Sequence, residues 1–353
     1  MSGSALDLIS SCFPPTHSES LWSNCAVEPY DFSDAREEDQ QQMAENPERI
    51  PEDGKYVFAV VSALGKGTVD DQRDVAQILR ALIKKQPNNK KVLVAVGGIP
   101  ALIAVINGSK DARTIEHAVT SILNVSNTEQ IDCHMLACGG LQTLVRVLII
   151  GNSEAKSSAA ATMFIMASTI ECREKFCQEH AIPPLLKLLE TDDVRGRKDA
   201  ALALYQLSLC VSGIKQIVSL GGVYKLLNCI SDGQERISEK AAAVLANIAK
   251  HPDGRWELMA GRAVPALVEV LNGDVNRAKE DIIGALVSLA SSSTEACEAL
   301  SKLNCRPALV DMAETGSERG QFKSNALVRI LDRWEAKDFR GRNLEDGNGP
   351  AWR

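Results

Sequence analysis

The sequence predicts an all-α fold, a right-handed α-solenoid of about seven repeats, on three observations. An apolar pattern recurs at a fixed spacing: Leu102, Leu144, Leu185, Leu226, Leu267 and Leu309 mark successive turns of it, and Val60 holds the same place one period before Leu102. A second register, Asn124, Ile165, Gln206, Asn247, Ser288 and Arg329, keeps the same spacing throughout. The composition, 45% hydrophobic and only 4% aromatic, suits helices packed through Leu, Ile, Val and Ala better than a β-sandwich. A single unit of this size cannot bury its own apolar face, so a fixed period implies stacked units.

Each unit reads as a short first helix, a turn, a second helix and a long third helix. The turn before helix two is Gly97-Gly98-Ile99-Pro100, Gly139-Gly140-Leu141, Ala181-Ile182-Pro183, Gly221-Gly222-Val223 and Ala263-Val264-Pro265. Glycine ends a helix at positive φ, and proline fits the first turn of the next helix, where its missing N–H costs little. Helix two follows a Leu-x-x-Leu-like pattern, as in Leu185-Leu186-Lys187-Leu188-Leu189. Helix three starts on small residues, as in Ala241-Ala242-Ala243, which let helices approach closely. Paired second and third helices are expected near 57–83, 99–125, 141–166, 182–207, 223–248, 264–289 and 306–331. The last unit is more polar on its outer face, with Glu318, Arg319, Gln321, Lys323 and Arg333, as a terminal cap requires.

The domain organisation expected is an acidic, mostly disordered segment 1–54, a repeat domain 55–335 and a frayed tail 336–353. The formal net charge is −7, but residues 1–54 carry 12 Asp/Glu against 2 Arg, and the remainder 34 Asp/Glu against 37 Lys/Arg. A near-neutral body is a poor match to general nucleic-acid binding, which needs a concentrated basic surface. No apolar run is long enough to cross a bilayer and no basic-then-apolar leader opens the chain, so neither a membrane span nor a secretory signal is expected. The ten cysteines fall mostly in helical patterns, where reduced Cys behaves as a small apolar residue. The expected location is therefore cytoplasmic and/or nuclear.

No catalytic arrangement stands out: Gly-x-Ser-x-Gly, a phosphate-cradling glycine loop and His-Glu-x-x-His are all missing from the sequence. The pairs Cys133/Cys138 and Cys172/Cys177, with His134 and His180, are spaced five apart rather than in the short gaps zinc favours. No metal and no cofactor are expected, and Cys133 and Cys172 are read as packing residues of the short first helices.

The three-helix period with its Gly-Gly or Ala-Ile-Pro joint resembles the armadillo repeat. Gly196-Arg197-Lys198-Asp199-Ala200-Ala201-Leu202-Ala203-Leu204-Tyr205-Gln206-Leu207-Ser208, Ala249-Lys250-His251-Pro252-Asp253-Gly254-Arg255 and Gly316-Ser317-Glu318-Arg319-Gly320 are most similar to the armadillo domain of plant U-box ubiquitin ligases. The resemblance covers roughly residues 57–333. The sequence departs from such ligases in lacking the Cys-Pro-Ile motif of a U-box, so this chain is expected to be a recognition module rather than an enzyme.

The resemblance implies that third helices line a concave groove in which an amide at one fixed position bonds the backbone of an extended peptide. An amide suits this because it both donates and accepts. On this chain Asn124 and Asn247 match the position and Gln206 is a substitute amide, while Ile165, Ser288 and Arg329 depart from it; Asn124, Gln206, Asn247, Ser288 and Arg329 are the candidate partner-binding residues. Relatives that read basic nuclear-localisation peptides carry Trp four residues earlier. Here those places hold Thr120, Ala161, Leu202, Ala243, Gly284 and Asn325, so basic peptides are not the expected ligand. Ten residues after the leucine marker lie Arg195, Arg236, Arg277 and Arg319, a candidate basic rim for carboxylates or phosphates, set against the plainer expectation of solvated loop charges.

The expected function is thus a protein–protein interaction scaffold. Its partner is another protein, as an extended segment or helix, with no nucleic acid and no membrane span. Ubiquitin-pathway components are the alternative partners, with the chain as a substrate-recognition component of ubiquitin ligation. A capped array is expected to be a monomer.

Overall fold

The computed structural model describes residues 52–128, 131–231, 234–273 and 276–345; the expected acidic segment falls outside them up to residue 51, and the end of the chain from residue 346. Among the described residues there are twenty helices and no strand. The chain divides into two compact units, Met1–Ala203 and Leu204–Arg353.

In the first unit the helices are α1 (Glu52–Ala63), α2 (Val69–Lys85), α3 (Asn88–Ala95), α4 (Gly98–Gly108), α5 (Ala112–Val125), α6 (Ile131–Ala137), α7 (Gly140–Ile150), α8 (Ser153–Met166), α9 (Ile170–Gln178) and α10 (Ile182–Leu188). Helix α11 (Val194–Leu207) crosses the boundary between the units. From α3 onward each repeat is two shorter helices followed by a long one, as the period requires. The marker residues Val60, Leu102, Leu144 and Leu185 are all fully buried. Each contributes on the order of 1.5–3 kcal/mol of apolar transfer. The first and second helices of a repeat meet at a sharp bend, 77° between α3 and α4 and 79° between α6 and α7.

The second unit continues with α12 (Val211–Ser219), α13 (Gly222–Ile230), α14 (Glu235–Ala249), α15 (Pro252–Ala260), α16 (Ala263–Asn272), α17 (Asn276–Ala290), α18 (Thr294–Lys302), α19 (Arg306–Thr315) and α20 (Glu318–Glu345). Leu226, Leu267 and Leu309 are its buried markers. The third helices are therefore α2, α5, α8, α11, α14, α17 and α20, and the seven expected helix pairs all form. Helix α20 runs on through Glu345, past the expected boundary at 335. Lys323, expected on the outer face of the cap, instead turns to α17: its Nζ donates to Glu280 O at 3.1 Å and Oε1 at 3.2 Å.

The bend before helix two needs one residue at positive φ. Gly97, Gly139 and Gly221 supply it at φ of 73°, 70° and 68°. At the two joints that read Ala-x-Pro, the turn is made one residue earlier than the Ala. His180 (φ 56°) and Arg262 (φ 51°) occupy the same register without glycine's freedom. The proline pattern located those joints but hid the residue that bears the strain.

Candidate partner-binding site

Helix α5 presents its member of the polar register on one side and packs on the other. Helix α5 is amphipathic: Ile115, Ala118, Val119, Ile122 and Val125 are buried, while Asn124 is half-buried. The Asn124 side-chain amide has no hydrogen-bond partner among the described residues, and the same holds for the half-buried Gln206 near the end of α11. Both amides are thus unengaged by the described residues. Arg329 on α20 is exposed.

Asn247 and Ser288 depart from the expectation. Asn247 is only 8% exposed, inside a run of α14 that is buried from Ala241 through Ala249. Its Nδ2 donates to Ser208 Oγ at 3.0 Å, and its Oδ1 accepts from Lys250 Nζ at 2.9 Å. Both functions of the amide are already used. The Ser288 hydroxyl turns back on its own helix and donates to Gly284 O at 3.0 Å. Residue type and spacing cannot reveal this, because the competing acceptor Ser208 comes from a neighbouring repeat.

The arginine rim also differs from a free cationic edge. Arg195 pairs with Glu154 on α8, Arg277 with Glu235 on α14 at 3.7 Å, and Arg319 with Glu280 on α17 at 3.1 Å. In each case the acid lies on the preceding third helix, so these arginines tie repeats together. Arg236 is exposed and has no ion-pair partner among the described residues. Glu280 collects several donors. Burial pushes its carboxyl up, but hydrogen bonds from Ser317 and Lys323 and the charges of Lys323 and Arg319 outweigh it, leaving the group below its usual range.

A further polar ladder escaped the sequence reading. Asp111 caps α5, its Oδ2 accepting from Thr114 N at 2.8 Å, and it also takes a two-pronged contact from Arg73 on α2 at 2.9 and 3.1 Å. The Arg73 hydrogen bond holds the Asp111 carboxyl well below the usual carboxylate range. Asn152 caps α8 through Ala155 N at 2.9 Å and donates to Glu116 on α5 at 3.0 Å. Asp193, at the start of α11, accepts from Arg195 N at 3.1 Å and from Ser153 and Ser157 of α8 at 2.6 and 2.9 Å. One side chain thus satisfies an orphan N–H of its own helix and binds the helix before it. The signal was present: Asp111, Asn152 and Asp193 follow one another at the spacing of the repeat itself.

Cys172 and Cys177 are buried, but Cys133 is exposed and so is not a packing residue. Among the described residues, no three His, Cys, Asp or Glu side chains cluster as metal ligands would. No single described helix is long and apolar enough to cross a membrane. Lys240 of α14 lies over the Tyr205 ring, 5.5 Å from its centroid, an interaction unforeseen from sequence.

The repeat geometry has counterparts among known proteins. Residues 59–313 match the model of the plant U-box protein armadillo repeat region. The chain belongs to that family. It is 32% identical over 279 residues to U-box domain-containing protein 1 of Medicago truncatula, covering 78% of this chain and 40% of the relative. It is 27% identical over 291 residues to U-box domain-containing protein 16 of Arabidopsis thaliana, covering 79% and 42%. The chain therefore spans about two-fifths of the length of these relatives. In fold it is similar to the crystal structure of an engineered protein (TM-score 0.71, 24% identity, 78% of this chain and 68% of the other). It is also similar to a designed armadillo repeat protein in complex with the peptide (KR)4 (TM-score 0.59, 21% identity, 66% and 99%). The armadillo fold expected from the period is thus the fold of this chain.

Proposed function

We propose that this armadillo region is a non-catalytic protein-binding scaffold whose third-helix faces receive an extended segment or a helix of a partner. The observation that carries the reading is the pair of unengaged, half-exposed amides of Asn124 and Gln206, at the register where a peptide backbone would meet them. A designed neighbour of the same fold is bound to a peptide, which supports a peptide-shaped ligand in general. The register four residues earlier has no aromatic, which argues for a ligand other than a basic peptide. Cysteines placed in helices among apolar residues, where a reduced thiol packs as a small apolar group, favour the cytosol or nucleus as the working compartment. The test is the affinity of a cognate partner for the Asn124→Ala and Gln206→Ala variants. Weakening of about fivefold or more in each is expected from the loss of a hydrogen bond worth roughly 1 kcal/mol; unchanged affinity would remove the amides from the interface.

A second reading has a specific motive, the names of the relatives. As part of ubiquitin ligation, the chain would select substrates for transfer. Native pull-down with the full chain, probed for ubiquitin-conjugating enzymes and ligase subunits, decides it: recovery of either supports the reading, and recovery of neither overturns it.

A further inference from the structure

Helix α20 is 28 residues long, against 14 to 17 for the other six third helices. Its buried side, Gly320, Ser324, Leu327 and Leu331, packs into the last repeat. Its charges are sorted by side. Asp332 and Glu335 point to α19, where Arg306 binds them at 3.0 and 2.9 Å. A separate stripe carries Arg319, Phe322, Arg329, Arg333 and Lys337, all within about 80° of one another on a helix that turns about 100° per residue. All five are exposed, Phe322 at 77%. Arg329, Arg333 and Lys337 have no ion-pair partner among the described residues. The stripe extends about 27 Å from Arg319 to Lys337, at about 1.5 Å per residue.

We propose that this stripe of α20 is a docking surface for an acidic, aromatic-bearing segment of a protein partner. Charge complementarity is the reason: three unpaired cations in a row on a rigid helix attract carboxylates, and arginine forks bind them in pairs. Phe322, standing free beside them, offers an apolar contact to an aromatic side chain of the same segment. A polyphosphate fits less well. The rest of the helix is not basic, with Asp332 and Glu335 facing α19, and one narrow stripe lacks the broad basic surface that nucleic acids and anionic membranes need. The inference rests on the reading that third-helix faces bind protein, and assigns a ligand charge to the last of them.

The experiment uses the full chain and a short labelled peptide of Glu and Ser with one central Phe, titrated by fluorescence anisotropy at low salt. Saturable binding is expected, weakening as salt rises. It should fall at least tenfold in Arg329→Gln/Arg333→Gln and severalfold in Phe322→Ser. These side chains are exposed, and circular dichroism should show both variants fully helical. Equal binding of a peptide with Lys in place of every Glu, equal affinity of the double variant, or tighter binding of a same-length oligonucleotide or of phosphatidylserine vesicles would overturn the proposal. Asn124→Ala and Gln206→Ala should leave this binding unchanged. If the acidic peptide does not bind while those variants weaken a cognate partner, this inference alone fails.

Discussion

The two units begin their third helices differently. In residues 52–203, α5, α8 and α11 each start on a side chain that caps the helix and grips the one before it: Asp111, Asn152 and Asp193. In residues 204–345 the same register holds Gln234, which makes no side-chain cap bond at α14. At α20 a cap is again present: Ser317 Oγ accepts from Gly320 N at 3.0 Å and donates to Glu280 at 2.8 Å. The apolar spine is the same in both units, with every marker fully buried. Burying one shape repeatedly forces the spine to repeat, whereas polar caps are free to be lost and replaced. The first unit is therefore cross-tied at each of these third-helix starts, whereas α14 of the second unit begins without such a tie.

The largest expected effect attacks what the units share. Leu226→Ala, at a fully buried marker, should destabilise by about 2–5 kcal/mol, seen as a lower urea midpoint. Next comes the difference itself. Asp111→Ala removes a cap worth about 1 kcal/mol and a two-pronged Arg73 contact of up to about 1 kcal/mol, so a loss of about 2 kcal/mol is expected. Gln234→Ala should cost under about 0.5 kcal/mol, because it removes no cap. Equal losses from the two would erase the contrast.

The Asp111 effect should also depend on pH with a defined sign. Its folded carboxyl titrates below the unfolded value of about 4. Its stabilisation is therefore complete above that value and is lost as pH falls through the folded pKa. The gap between the native protein and Asp111→Ala, followed by thermal melts, should narrow only in acid. Gln234→Asp sharpens the contrast from the other side: a cap installed at α14 should add about 0.5–1 kcal/mol. His180→Gly and Arg262→Gly should each add a similar or smaller amount, since glycine relieves the left-handed backbone but loosens the unfolded chain.

What sequence could show follows the same division. The spine was legible because burial is periodic: Leu102 through Leu309 mark every repeat, and the helix pairs follow from them. Gly97, Gly139 and Gly221 announced their turns because only glycine takes that backbone freely. His180 and Arg262 gave no such signal, since strain accepted by an ordinary residue leaves no mark in composition. The candidate site was legible in position but not in state. Asn124, Gln206 and Asn247 look alike in one dimension, yet Ser208 and Lys250 consume the amide of Asn247 alone. The rim arginines likewise required Glu154, Glu235 and Glu280 in space before they could be read as ties between repeats.

By the proposed function, a repeating spine holds third helices in place so that their exposed faces, not the short first helices, bind protein. Amide hydrogen exchange of the full chain with and without a cognate partner tests it directly. New protection in α5, α11 and α20, with α3, α6, α9, α12, α15 and α18 unchanged, is the expected result. Protection concentrated in those short first helices would contradict it.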